Sequence, residues 1–144
     1  MPRGQPGNKI DFLLKNGADV NKAIDNIFPI IYAVSCGNID IVKLLIEEGA
    51  NIDVLDEDKN PPIYWPMLLS DYEDRRIVFE YLLKITDLRK KYKNQKNLLH
   101  LAVENFAPLK TLKAILKNNP SLIHELDSKG FSCLDYAYMK QAYD

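Results

Sequence analysis

The sequence predicts an all-α solenoid of antiparallel helix pairs, and three observations predict it. A short amphipathic phrase returns about every 33 residues: Ile10–Leu14, Ile41–Ile46, Ile77–Leu83 and Leu112–Leu116. Glycine follows the first two copies, at Gly17 and Gly49, where a chain leaving a helix needs positive φ. A second apolar stripe, Ile30, Ala33 and Val34, precedes the best copy and is separated from it by Gly37. Such a stripe covers one face of a short helix, and neither helix can bury its face alone. Two helices folding back on each other, followed by a loop, therefore form the repeated motif.

The elements follow in order. Residues 1–7 carry two prolines and no apolar periodicity, and they read as a frayed arm or an expression remnant outside a domain of residues 8–144. Asn8 is placed to cap a helix beginning at Lys9, with Ile10, Leu13 and Leu14 as its stripe. That helix is a half-repeat, residues 8–22, and its apolar face is expected to be partly exposed. The second repeat, 23–55, opens its first helix at Phe28-Pro29, since proline at the first helical position loses no hydrogen bond.

The third repeat, 56–91, is expected to be the least regular. Pro66 falls inside its first helix, where proline can cost ~3 kcal/mol. Ser70–Asp74 reads as a turn about four residues longer than usual, leading to a second helix over about 75–85 that no glycine closes. Trp65 is expected in the core. In the fourth repeat, 92–126, Pro108 opens the second helix and Asn119 is expected as its left-handed cap. The fifth, 127–144, is a first helix alone, with Tyr136, Tyr138 and Tyr143 placed to form an amphipathic cap.

Composition narrows the function. The apolar share of 47% and charged share of 27% are those of a folded globular chain. No apolar run is long enough to span a membrane, and no leader opens the chain. Cys36 and Cys133 lack the spacing of a metal or redox pair and read as reduced thiols. The charges are segregated: residues 40–74 hold ten acids and two bases, whereas 84–117 hold nine bases and two acids. Segregated charge steers partners of complementary charge. Neither Gly-x-x-x-x-Gly-Lys-Ser/Thr nor Gly-x-Ser-x-Gly occurs. The two histidines, His100 and His124, have no nucleophile or ligand at suggestive spacing. No catalytic residue, cofactor or metal site is identified, and the chain reads as non-enzymatic.

The residues resemble the ankyrin-repeat family. Its pattern runs roughly Asp-x-x-Gly-x-Thr-Pro-Leu-His-x-Ala, then Gly-x-x-x-Ile/Val-Val-x-Leu-Leu-Leu-x-x-Gly-Ala-Asp-Val-Asn. Pro29, Ile30, Ala33, Gly37, Ile41, Val42, Leu44, Leu45, Gly49 and Ala50 match, and Gly17–Asn21 matches the ending letter for letter. The likeness spans residues 9 to about 140, as three full repeats with a half-repeat at each end. It implies helix pairs joined by β-hairpin-like loops, with His100 tying adjacent repeats together.

The resemblance also implies binding of a protein partner through a concave groove, as adaptor or competitive inhibitor, by hairpin tips and the last turns of first helices. Carried over by position, these are Ile24, Asp25, Ile27, Ser35 and Cys36 in the second repeat, and Glu57, Asp58, Asn60, Leu68 and Leu69 in the third. The fourth supplies Lys93, Asn94, Lys96, Glu104 and Asn105. The fifth supplies Ser128, Lys129, Phe131, Met139 and Lys140, and Leu68, Leu69, Phe131 and Met139 are the apolar anchors. The spacing from Leu13 to Asn21 resembles ankyrin hairpins that are hydroxylated on asparagine. Two alternatives stand beside this reading. One is nucleic acid or an anionic nucleotide on Lys93, Lys96, Lys129 and Lys140 with Phe131. The other is a structural spacer within a larger protein. A monomer in the cytoplasm, with the nucleus as second location, completes the expectation.

Overall fold

A computed structural model describes residues 6–141. These residues form eight α-helices in two compact bodies, Met1–Pro62 and Ile63–Asp144. Among the described residues there is no strand, only one isolated antiparallel bridge between Ile24 and Ile27.

The N-terminal body contains α1 (Pro6–Lys15), α2 (Pro29–Cys36) and α3 (Ile39–Glu47). Helix α1 begins three residues earlier than the sequence suggests, so Asn8 lies within it rather than ahead of it. Residues 1–5 of the expected arm lie outside the described residues. Pro29 sits in the first turn of α2, as expected, and Gly37 ends the helix at φ 71°, a left-handed conformation that glycine adopts without steric cost. Asn38 then caps α3, its side chain accepting the Ile41 amide at 3.2 Å. Helices α2 and α3 pack antiparallel through Ile30, Ala33, Val34, Val42 and Leu45, all buried, and α1 lies against α3. Each of these valine, leucine and isoleucine side chains taken from water contributes about 1.5–3 kcal/mol.

The C-terminal body contains α4 (Tyr64–Leu68) with α5 (Glu73–Ile85), α6 (Leu98–Glu104) with α7 (Leu109–Asn118), and α8 (Cys133–Gln141). The first helices α4, α6 and α8 lie side by side in that order. Met67, Val78, Leu82, Leu98, Ala102, Ile115 and Leu122 fill the core.

The third repeat is more regular than expected. Helix α4 starts at Tyr64, so Pro66 occupies its third position, and the first intrahelical hydrogen bond is Met67 N–H to the Ile63 carbonyl at 3.0 Å. The amide that proline lacks would have had no helical partner there, and the interior penalty does not arise. The turn to α5 spans four residues, 69–72, as does the 105–108 turn of the next repeat; the extra length lies in the thirteen-residue helix. Ile85 stands in the register of Gly17 and Gly49, and the next residue, Thr86, donates its hydroxyl to the Leu82 carbonyl at 2.7 Å. Trp65, expected in the core, is exposed, with its ring edge-on to buried Tyr64. Asn119 is not left-handed (φ −151°); its side chain instead caps the 3-10 turn Pro120–His124.

One local device ends every second helix. Asp19, Asn51, Asp87 and Asn119 each accept, through a side-chain oxygen, the amide two residues on, at 2.9, 2.9, 3.0 and 3.3 Å. These Asx turns redirect the chain into the hairpin whether or not a glycine precedes them.

Candidate functional site

The hairpin tips are built in two ways. At Ile24–Ile27 and Tyr92–Lys96 the tip residues Asp25-Asn26 and Asn94-Gln95 all have positive φ, which asparagine and aspartate tolerate better than most residues. At Asp56–Asn60 and Asp127–Phe131 an aspartate nucleates the tip. Asp56 accepts the amides of Asp58 and Asn60, and Asp127 those of Lys129 and Phe131, all at 2.9–3.0 Å. Lys59 (φ 68°) and Gly130 (φ 82°) hold the equivalent left-handed position.

Within the C-terminal body the tips and helix ends form one edge. The Ser128 amide donates to the Asn94 carbonyl at 2.8 Å, setting the two tips side by side. The Lys140 ammonium, at the end of α8, lies 5.9 Å from the Phe106 ring centroid beyond the end of α6. Lys93, Asn94, Ser128, Lys129, Leu69 and Met139 are exposed; Leu68, Asn105 and Lys140 are half-buried.

Behind this edge lies a closed polar network. His100, fully buried, accepts the Asn97 amide on Nδ1 at 3.0 Å, so its proton resides on Nε2, which faces the Phe131 carbonyl at 3.0 Å. The expected tie between adjacent repeats is thus present. The Asn97 side chain accepts the His100 amide and donates to the Leu122 carbonyl and the Glu125 carboxylate. Tyr136 donates its hydroxyl to Asp127. Burial alone raises the Asp127 carboxyl, but the Tyr136 hydroxyl and the Phe131 and Lys129 amides outweigh it and hold it below the usual range. Burial likewise raises the Tyr136 phenol, and the Asp127 carboxylate raises it further. Burial pushes the Cys133 thiol up to about 12, whereas Cys36 is exposed.

Several residues assigned to binding are committed to internal contacts. The Lys96 ammonium pairs with Glu104 at 2.7 Å and sits 5.0 Å from the Tyr136 ring centroid. Phe131 is half-buried edge-on against Tyr136. Asn60 closes its tip, its amide donating to the Asp56 side chain and its carbonyl accepting the Asp56 amide at 2.9 Å. In the N-terminal body, half-buried Ile27 exchanges two backbone hydrogen bonds with Ile24, both 2.9 Å. Ile24, Asp25, Ser35, Cys36, Glu57 and Asp58 are exposed. Asn21 stitches two loops: its side chain donates to the Gly49 carbonyl at 3.1 Å and accepts the Asn51 amide at 2.8 Å. Among the described residues no group of three or more His, Cys, Asp or Glu is arranged to hold a metal ion, and no helix is long and apolar enough to cross a membrane.

Phe106 was not singled out from the sequence. It is 62% exposed and left-handed (φ 64°). Its amide donates to the Val103 carbonyl as the Gly37 amide donates to that of Val34, so a phenylalanine stands where the second repeat has glycine. The signal was the 69-residue offset from Gly37 to Phe106, the same as from Ala33 to Ala102.

A family model for ankyrin repeats (3 copies) matches residues 3–73. The chain is similar to Rabankyrin-5 of Homo sapiens, 26% identical over 140 residues that cover 88% of this chain. It is also similar to Alpha-latrocrustotoxin-Lt1a of Latrodectus tredecimguttatus, 35% identical over 81 residues that cover 54% of it. The matches span 12% and 6% of those proteins' lengths.

Proposed function

Because the chain belongs to the ankyrin-repeat family, whose repeats are generally protein–protein interaction modules, we propose that it is a non-enzymatic recognition module whose binding edge lies in the C-terminal body. That edge comprises the ends of α4, α6 and α8 and the tips at Asn94 and Lys129. It presents the apolar side chains Leu69, Phe106 and Met139 together with Lys93, Lys129 and Lys140. The partner that suits it is a protein segment with one or two large apolar side chains flanked by carboxylates, since apolar anchors supply affinity and charge supplies orientation.

Phe106 is the observation that carries this reading. A bulky residue held left-handed costs about 1–2 kcal/mol over glycine, and this ring is left largely in water. Strain without internal packing gain is characteristic of functional positions. The nucleic-acid alternative is weakened because Lys96 and Phe131 serve internal contacts.

A photo-crosslinking residue at position 106, compared with one at exposed Glu80 of α5, tests the proposal in extracts of the source cells. Crosslinks to a distinct protein from position 106 alone are expected. Equal labelling from both positions, or crosslinks to nucleic acid, would overturn it. Hydroxylation of Asn21 belongs to the same reading, and a native peptide without the mass of one added oxygen atom would remove it.

A further inference from the structure

Two aromatic side chains of the C-terminal body, Trp65 and Tyr72, are 48% and 66% exposed. Trp65 stands before Pro66 as Leu101 stands before Ala102 and Tyr136 before Ala137, so the three share one register. Leu101 and Tyr136 are buried there, whereas the larger ring of Trp65 is left in water. Buried Tyr64 meets that ring edge-on, with centroids 5.1 Å apart and planes at 84°, which holds its orientation. The Trp65 indole N–H and the Tyr72 hydroxyl have no hydrogen-bond partner among the described residues.

Trp65 and Leu69 stand four residues apart on one face of α4, the Leu69 amide donating to the Trp65 carbonyl at 2.9 Å. The Leu69 carbonyl accepts the Tyr72 amide at 2.9 Å, so the chain turns directly from that face to Tyr72. Phe106 lies in the corresponding turn of the next repeat, and Met139 on α8 one repeat further. Exposed apolar anchors thus recur once per first helix across α4, α6 and α8, and packed helices stand about 8–10 Å apart. A polyproline II segment completes a turn in three residues and about 9.3 Å, so every third side chain meets the next anchor. A β-strand repeats its side chains about every 6.6 Å and falls out of step. An α-helix comes into step at every seventh residue, about 10.5 Å, but its carbonyls are already bonded within it. The carbonyls of polyproline II are free, and they accept the indole N–H and phenol hydroxyl that this face offers.

We propose that the occupant of the recognition edge is a proline-rich segment in the polyproline II conformation. Its apolar side chains recur at every third position and run from Trp65 past Phe106 towards Met139, and its carboxylates face Lys129 and Lys140. This deepens the recognition reading above and rests on it. Trp65 offers a flat ring held in place, the kind of surface on which proline-rich segments dock. Such a segment is stiff before it binds, so little freedom is lost on docking. The exposed lysines complement its acidic flanks, so binding weakens as salt rises.

Trp65 is the only tryptophan of the chain, so its fluorescence reports this contact directly. The probe is a peptide of three Leu-Pro-Pro triplets between aspartates, titrated up to about 1 mM into the 144-residue chain. A saturable blue shift of the emission is expected, at least about tenfold tighter than for the same residues with the leucines made adjacent. Anisotropy of the labelled peptide should show binding weakened about tenfold or more by Trp65→Ala, less by Trp65→Phe, and unchanged by Glu80→Ala on exposed α5 surface. Circular dichroism and melting temperature confirm that each variant folds. A titration without a shift, a Trp65→Ala variant of wild-type affinity, or equal binding of an alanine-based helical peptide with leucine at every seventh residue overturns the proposal. The peptide should also displace the partner from a crosslinker at position 106. Crosslinks that form there and resist the peptide remove the proline-rich occupant and leave the recognition edge standing, whereas no crosslinks at all remove both.

Discussion

Replacing Phe106 by glycine and by alanine should separate the stability of this protein from its recognition. The backbone at Phe106 is left-handed, with φ 64°. Holding a residue with a β-carbon there costs about 1–2 kcal/mol, which glycine avoids. Glycine loses part of that gain, about 0.4–1 kcal/mol, because its unfolded chain is more mobile. The Lys140 ammonium at 5.9 Å lies near the outer limit of a cation–π contact, and its loss costs at most about 0.5–1 kcal/mol in either variant. Phe106→Gly is therefore expected to be about 1 kcal/mol more stable than Phe106→Ala and close to wild type. In a chain of this size that separates the variants by about 2–4 °C in melting temperature. Urea unfolding followed by circular dichroism, with the midpoint converted at constant slope, measures the difference. Both variants lose the exposed ring, so both should lose capture of the partner in pulldown equally although their stabilities differ. An alanine variant as stable as the glycine variant would refute the strain argument. A variant that keeps full binding would remove Phe106 from the recognition edge.

Other outcomes follow from the same structure. His100→Ala leaves the Asn97 amide without its partner, whereas the Phe131 carbonyl keeps the Asp127 amide, and one unsatisfied buried group should lower unfolding free energy by about 1–3 kcal/mol in denaturant titration. Pro66→Ala should change stability by less than about 1 kcal/mol, because proline in the first turn forfeits no helical hydrogen bond; a gain approaching ~3 kcal/mol would show that Pro66 is strained. The Asp127 and Glu125 carboxyls are both held below their unfolded values of 3.8 and 4.5, in each case against burial, Glu125 by Lys91 and Asn97. A depressed carboxyl stabilises the fold above its unfolded pKa, and that stabilisation is lost as pH falls through the folded pKa. Stability should thus fall below about pH 4.5, less steeply in Asp127→Asn, as read from unfolding midpoints across the acid range. Iodoacetamide on the native protein should label exposed Cys36 and spare buried Cys133, whose thiol is pushed up to about 12.

Much of the fold was legible because it rests on local chemistry. The stripes at Ile30, Ala33 and Val34 and at Val42 and Leu45 are buried as their spacing requires. The Asx turns at Asp19 and Asn51 lie within the Gly-Ala-Asp and Gly-Ala-Asn phrases that mark the repeats. The turn at Asp87 was missed because no glycine precedes it, although the aspartate alone suffices. Pro66 was misjudged because the cost of proline depends on where the helix begins, and Ile63 in α-helical conformation sets that start at Tyr64. For the proposed binding residues, position in the repeat does not record which side chains remain available. Lys96 and Phe131 share one register, at the ends of tips whose Lys93 and Lys129 are exposed, yet Glu104 and Tyr136 occupy them.

The sequence by itself determined the repeat, the helix pairs, the hairpin tips and the half-repeats at the two ends. Each of these depends on residues within about one repeat length, through periodicity, capping and turn preference. Tertiary structure decided which polar and aromatic side chains are spent inside. It closed the network of Asn97, His100, Asp127 and Tyr136, drew Lys96 onto Glu104, and left Phe106 and Trp65 in water. Those outcomes depend on which neighbours from other repeats come within hydrogen-bond or van der Waals reach. Distances of that kind arise only when the helices pack, since hydrogen bonding and dispersion act over a few ångströms and register in a repeat does not record them.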